Sequence, residues 1–224
     1  MKKIAFLLFT ALTISFASQA QIGIKLGANL TNLAGDLQDE DNFQNKLGFV
    51  GGITYNIPLS SDNFVSIQPE LLYSQKGYKR ADYTVTNPAT PTTPSQQLRY
   101  EGKVNYSYLD LPILLKINAG PVFFEAGPQF SYLLGIKDNT EVTDVATGID
   151  FESYNKVNKD ALAEFEVGYA AGVGVQIPMG LTLNLRYNGS VSALAKDDNG
   201  DELANARNSV YQATIGFKLP TGTK

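Results

Sequence analysis

Neither cysteine nor histidine occurs anywhere in the 224 residues. The first absence excludes disulfides, thiol nucleophiles and a lipid-modified cysteine behind a leader; the second removes the base that Ser-His lipases and proteases require. A basic surplus is also missing, since 18 basic residues stand against 22 acidic ones for a net charge of −4, and this argues against nucleic acid as a partner. Long apolar runs are absent beyond residue 20. A membrane-spanning helix needs about 20 such residues, so a chain of this kind that crosses a bilayer must cross it as strands. The mean hydropathy of −0.12 does not count against that.

The first twenty residues read as a removable secretion signal. Lys2 and Lys3 precede an apolar run over 4–16, and Ala17-Ser18-Gln19-Ala20 places small residues at the last and third-last positions before the cut. The mature chain then begins at Gln21. Loss of two lysines takes its net charge to −6, and residues 21–224 have a length that suits one all-β domain.

Segments alternating apolar and polar residues recur along this chain, separated by connections rich in Gly, Pro, Asn, Asp and Ser. Eight are found, at 22–31, 46–57, 64–78, 103–117, 122–135, 164–177, 181–188 and 209–219. In the clearest, Phe165, Val167, Tyr169, Ala171, Val173, Val175 and Ile177 share one parity, with Glu164, Glu166, Gly168, Gly172, Gly174 and Gln176 on the other. Connections alternate between short (58–63, 118–121, 178–180) and long (31–45, 79–102, 136–163, 192–208). That rhythm predicts an all-β, eight-stranded, up-and-down antiparallel transmembrane barrel with short periplasmic turns, four long extracellular loops, and both termini at the periplasmic rim. The stretch 88–97, with Pro88, Pro91 and Pro94, reads as a polar loop.

The polar parity decides which face looks outward. It holds Lys25, Lys46, Lys116, Arg186 and Lys218 with Glu70, Asp110, Glu125, Glu164 and Glu166, and many glycines besides. Glycine-rich walls bearing a few long charged side chains suit a narrow interior, where glycine leaves room for the residue opposite. The apolar parity carries no charge in any segment, as required where a charge facing mid-bilayer costs about 2–4 kcal/mol. Those ten charged residues are therefore expected to form a balanced, occluding ion-pair network, with Arg186 at its hub and Glu164, Glu166, Glu70, Asp110 and Glu125 as candidate partners. Tyr55, Tyr73, Tyr78, Tyr106, Tyr132, Tyr187 and Phe217 are candidates for interfacial girdles. Pro69, Pro112 and Pro128 fall inside strands, where each removes a ladder hydrogen bond, and bulges are one way to accommodate them.

The segments Ile22-Gly23-Ile24-Lys25-Leu26-Gly27, Gln68-Pro69-Glu70-Leu71-Leu72-Tyr73, Tyr108-Leu109-Asp110-Leu111-Pro112-Ile113 and Glu125-Ala126-Gly127-Pro128-Gln129 resemble the PorT-like "porin family" outer-membrane β-barrel domain of Gram-negative bacteria. The resemblance covers essentially the whole mature chain and implies an eight-stranded barrel in which prolines are habitual. It supplies no activity. The polar tail 220–224 departs from the usual aromatic ending, although Phe217 and Leu219 keep the lipid parity.

Glu164 and Glu166 share a face, but neutralising interior cations explains them better than catalysis does. The acidic stretches 36–41 and 197–202 read as hydrated loop tips, the second having its glycine at the wrong offset for a calcium loop. No enzyme activity, cofactor or metal is expected. The expected role is structural or surface-binding through the extracellular loops of a barrel in the outer membrane; a small porin, or a component of a protein-secretion system, is the alternative. Expected partners are outer-membrane lipid and lipopolysaccharide, the barrel-assembly machinery during biogenesis, and a surface ligand whose identity the sequence does not give.

Overall fold

The computed structural model of the chain describes residues 21–35, 43–89, 95–151, 162–196 and 205–219. The leader, the acidic stretches 36–41 and 197–202, Pro91 and Pro94, and the tail 220–224 lie outside the described residues. Among those described, eight antiparallel strands form a closed ring: β1 (Gln21–Ala34), β2 (Lys46–Pro58), β3 (Val65–Asn87), β4 (Gln96–Ala119), β5 (Val122–Asp144), β6 (Phe165–Gln176), β7 (Leu181–Ser190) and β8 (Arg207–Lys218). Each pairs with its sequence neighbour, and β8 closes on β1 with Gly23 opposite Lys218 and Ala34 opposite Arg207. Following the registers once around the ring returns to β1 about ten residues further along, which tilts the strands by about 40°. Closure leaves none of the eight strands as a free edge, the condition for a sheet in lipid.

The first and last described residues, Gln21 and Leu219, lie on one rim, where Leu219 N–H donates to Ile22 C=O at 2.8 Å. The turns of that rim are short because left-handed residues reverse the chain within a few positions: Asn63 (φ 57°) between β2 and β3, and Gly120 (φ 66°) between β4 and β5. Alternation then does the sorting. Leu26, Phe49, Ile53, Leu111, Phe130, Val173, Leu185 and Ile215 point outward and are exposed, while Lys25, Glu70, Asp110, Glu125, Gln129 and Arg186 point inward and are buried.

Three expectations need correction. Two of the four long connections begin or end as strand: β3, β4 and β5 run for 23, 24 and 23 residues, whereas about 9–11 residues suffice to cross a bilayer. Their surplus stands beyond the loop rim as a three-stranded wall, paired from Asn87 opposite Gln96 and from Leu98 opposite Asp144 downward. Charges on both of its faces hide the alternation that marks a half-buried strand, so this part reads as loop. Two small strands, Phe43–Gln44 and Asp150–Phe151, add to β3 and β5 at the same end.

The prolines are not accommodated by bulges. Ladder pairs are missing between Thr54/Glu70 and Ile57/Ile67, between Pro69/Ile113 and Leu72/Asp110, and between Pro112/Gln129 and Leu115/Ala126, yet the register resumes unshifted each time. The bulges lie elsewhere, at Arg80/Tyr83 and Ser107/Tyr108. Pro69, Pro112 and Pro128 thus form a diagonal across β3, β4 and β5, so that the local gaps lie side by side.

Two candidates for the girdle face inward instead. Tyr78 and Tyr106 lie on the same parity as Glu70 and Asp110 and are fully buried, packing with Leu33, Phe43, Val104, Tyr108, Leu133, Leu162, Leu194 and Ala206. This apolar cluster fills the loop end of the lumen, with the Phe43 and Tyr78 rings edge-on at 4.9 Å. Aromatics that do face outward and are exposed include Tyr73, Tyr132, Phe165, Tyr169 and Tyr211.

Candidate functional site

Below the apolar cluster the lumen is polar, and its groups converge from alternate strands. Arg186 starts from β7, where Gly172 is its neighbour on β6. A Cβ at Gly172 would come within 2.8 Å of the Leu185 carbonyl oxygen and 3.2 Å of the Arg186 Cβ, so glycine there keeps the arginine's path into the lumen open. The guanidinium crosses to the opposite side of the ring: Nη1 donates to Glu70 Oε2 at 2.8 Å and Nη2 to Glu70 Oε1 at 3.0 Å, a bidentate pair with β3. Its Nε donates to Glu125 Oε1 on β5 at 2.7 Å, and Nη2 reaches the same oxygen. From β1, Lys25 Nζ meets Glu70 Oε1 at 2.6 Å. Gln68 and Asn184 add amide donors to Glu70 and Glu125 at 2.6 and 2.9 Å.

A second cluster sits nearer the apolar cap. Lys76 Nζ lies 3.2 Å from Asp110 and 2.9 Å from Glu166, donates to Ser131 Oγ at 3.1 Å, and stands 4.4 Å over the Tyr108 ring. Asn208 donates to the other Glu166 oxygen. Between the two charged tiers, Gln212 donates to Asn29, which donates to Ser74, both at 3.0 Å.

Not every residue marked from the sequence joins an ion pair. Glu164 precedes β6, is exposed, and stands apart from the lumen; only its backbone oxygen is engaged there, by Leu133 N–H at 2.8 Å. Arg186 therefore meets neither Glu164 nor Glu166. Lys46 is buried but donates to the Lys76 carbonyl at 3.3 Å, Lys218 donates to Gln176 at 2.9 Å, and Lys116 rests 3.5 Å over the Phe123 ring with Gln68 at 3.4 Å. Lys76 was the missing member. Its parity continues that of Gln68 and Glu70, but Leu72 and Tyr78 on the same face interrupt the polar pattern. Among the described residues the lumen thus holds six basic side chains (Lys25, Lys46, Lys76, Lys116, Arg186, Lys218) against four acidic ones (Glu70, Asp110, Glu125, Glu166), not the equal numbers expected.

Little space is left. A cavity on the short-turn side of Arg186, lined by Lys25, Gln68, Lys116, Glu125, Thr182 and Lys218, measures about 20 Å³, room for about one water molecule. A groove of about 960 Å³ lies instead on the outward face, lined by Leu26, Ala28, Val173, Leu185, Ala213 and Ile215 among others, an apolar lining suited to acyl chains. Among the described residues no group of His, Cys, Asp and Glu could hold a metal ion, and the lumen carboxylates Glu70, Asp110, Glu125 and Glu166 are each held by a cation.

A family model described as the outer membrane protein beta-barrel domain matches residues 15–195. No curated protein matches the chain. Solved structures similar to it include Neisserial surface protein A, at 14% identity with 89% of this chain and 99% of that one covered and a TM-score of 0.42. Ail, the attachment invasion locus protein of Yersinia pestis, is similar at 9% identity, with 89% and 99% covered and a TM-score of 0.40. The N-terminal β-barrel domain of Pseudomonas aeruginosa OprF follows at 10% identity, 90% and 100% covered, and a TM-score of 0.30.

Proposed function

Because the chain belongs to the outer membrane protein beta-barrel domain family, we propose that it is a non-enzymatic barrel of the outer membrane with a closed lumen, serving through the parts that stand outside the lipid. The leader over 1–20 delivers the chain across the inner membrane and is removed. The observation carrying this reading is the span of Arg186 from β7 to Glu70 on the diametrically placed β3, a hydrogen-bonded bar across the middle of the lumen. The apolar cluster around Tyr78 and Tyr106 stops the loop end independently. An eight-stranded ring is just wide enough for side chains to fill, and here they do.

The wall built from β3, β4 and β5 is the natural working surface. It holds a fixed shape outside the barrel, which favours a structural or adhesive role over solute passage. The surplus of two interior cations is what a channel reading has in its favour, since a conducting lumen with this lining would prefer anions. Single-channel recording of the purified protein in planar bilayers separates the two: silence supports the closed barrel, and steady anion-selective conductance supports the channel.

A further inference from the structure

We propose that the outward face of the wall carries a phosphate-binding row, Lys79, Lys103 and Lys137, that grips the phosphorylated headgroup of lipopolysaccharide in the outer leaflet. This rests on the reading that the barrel sits in the outer membrane with its wall outside.

Register places the three lysines together. Lys79 of β3 is directly opposite Lys103 of β4. On the other side of β4, Asn139 is opposite Lys103 and Lys137 is opposite Asn105, so Lys137 lies one row nearer the barrel on the same face. All three are exposed, and among the described residues none forms an ion pair. Like charges directly opposite on one face destabilise a ladder; an anion seated between them removes that cost and turns it into affinity.

The height of the row fits a lipid phosphate. The outward parity of β3 and β4 runs from exposed Leu71, Tyr73, Leu109 and Leu111 to uncharged polar groups, where the Tyr73 and Ser107 hydroxyls share a hydrogen bond at 3.0 Å. The lysines come next. Lys79 and Lys103 are each six residues beyond Tyr73 and Leu109, about 15 Å along the barrel axis for a tilted strand. Apolar, then aromatic and neutral polar, then cationic is the order of the bilayer itself from core to headgroup. One row farther out, Glu101 is opposite Glu141, which confines the positive field to the membrane-proximal row. Lipid phosphate rather than phosphate from solution is the occupant, because the row directly continues the lipid-facing surface.

The test uses the full mature chain in nanodiscs of three compositions: phosphatidylcholine alone, phosphatidylcholine with bis-phosphorylated lipid A, and phosphatidylcholine with lipid A of the same acyl chains stripped of phosphate. Bound lipid is counted by native mass spectrometry. The unmodified protein is expected to retain phosphorylated lipid A at least about tenfold better than the stripped form, as several basic side chains at a membrane surface require. The triple variant Lys79→Gln, Lys103→Gln, Lys137→Gln is expected to lose that preference, while Arg99→Gln, beyond the acidic row, keeps it. Equal retention by the triple variant and the unmodified chain in nanodiscs overturns the lysine row alone. Failure of the unmodified chain to insert as a protease-resistant barrel in any composition overturns the membrane reading and this proposal together. Displacement of the phosphorylated lipid by millimolar inorganic phosphate overturns the assignment to lipid.

Discussion

Arg186 is the residue on which the interior turns, because one guanidinium holds two carboxylates from two other strands. Removing one partner of a buried, hydrogen-bonded ion set costs about 3–5 kcal/mol, since the remaining charges stay buried without compensation. Arg186→Ala is therefore expected to lower stability by that order in urea unfolding from lipid vesicles. Arg186→Lys should recover only part of it, as a lysine cannot make the planar two-pronged contact with Glu70. A loss under 1 kcal/mol for the alanine variant would show that the bar across the lumen contributes little. Outside the membrane, Asp144 offers a separate check. Its carboxylate accepts from the Gln96 amide at 2.8 Å and from the N–H groups of Ala146 and Thr147 at 2.8 and 3.1 Å, and these bonds, the Gln96 one foremost, hold its pKa below the ordinary 3.8. A depressed carboxylate stabilises above its unfolded pKa and ceases to as pH falls through the folded one. Ala146 and Thr147 are thus expected to exchange amide protons faster in Asp144→Ala at neutral pH; unchanged exchange at both sites would contradict this.

At the scale of elements, alternation carries most of the information and fails where its assumptions fail. It locates the eight strands because one face meets lipid and the other a packed lumen, so β6 and β7 sort cleanly. The upper halves of β3, β4 and β5 have water on both sides, and Arg99, Glu101, Lys103 and Asp138 then look like loop. Parity also brings Lys25, Glu70, Glu125 and Arg186 to one face, but it cannot say how far each reaches across the lumen. Glu164 falls outside the lumen network because the alternation in sequence extends one residue ahead of β6, which starts at Phe165. Tyr78 and Tyr106 fill the cap rather than a girdle, a choice that parity near a strand end leaves open because an aromatic there suits both. The lipid-facing assignment leads to an ordered expectation. Arginine at Val173 or at Leu185, which are cross-strand partners, should each cost about 2–4 kcal/mol toward assembly in vesicles, whereas Thr86→Arg on the exposed end of β3 should cost almost nothing. Equal assembly of the three variants would reverse the inside and outside of the barrel.

For the whole molecule, the ring, the two ion-pair clusters and the apolar cap act in series along one axis. A solute would have to displace Tyr78 and Tyr106 at one level, Lys76 with its two carboxylates at the next, and Arg186 below. The cap and the bar are built from different residues and different chemistry, so loss of one is not expected to open the lumen fully. Weakening both is. The most direct measurement of this central claim is single-channel recording in planar bilayers of the unmodified protein beside a variant combining Arg186→Ala with Tyr106→Ala, each first shown to be a folded, protease-resistant barrel. The account predicts no steady conductance from the unmodified protein and discrete, anion-preferring openings from the double variant; steady, large conductance from the unmodified protein would contradict it.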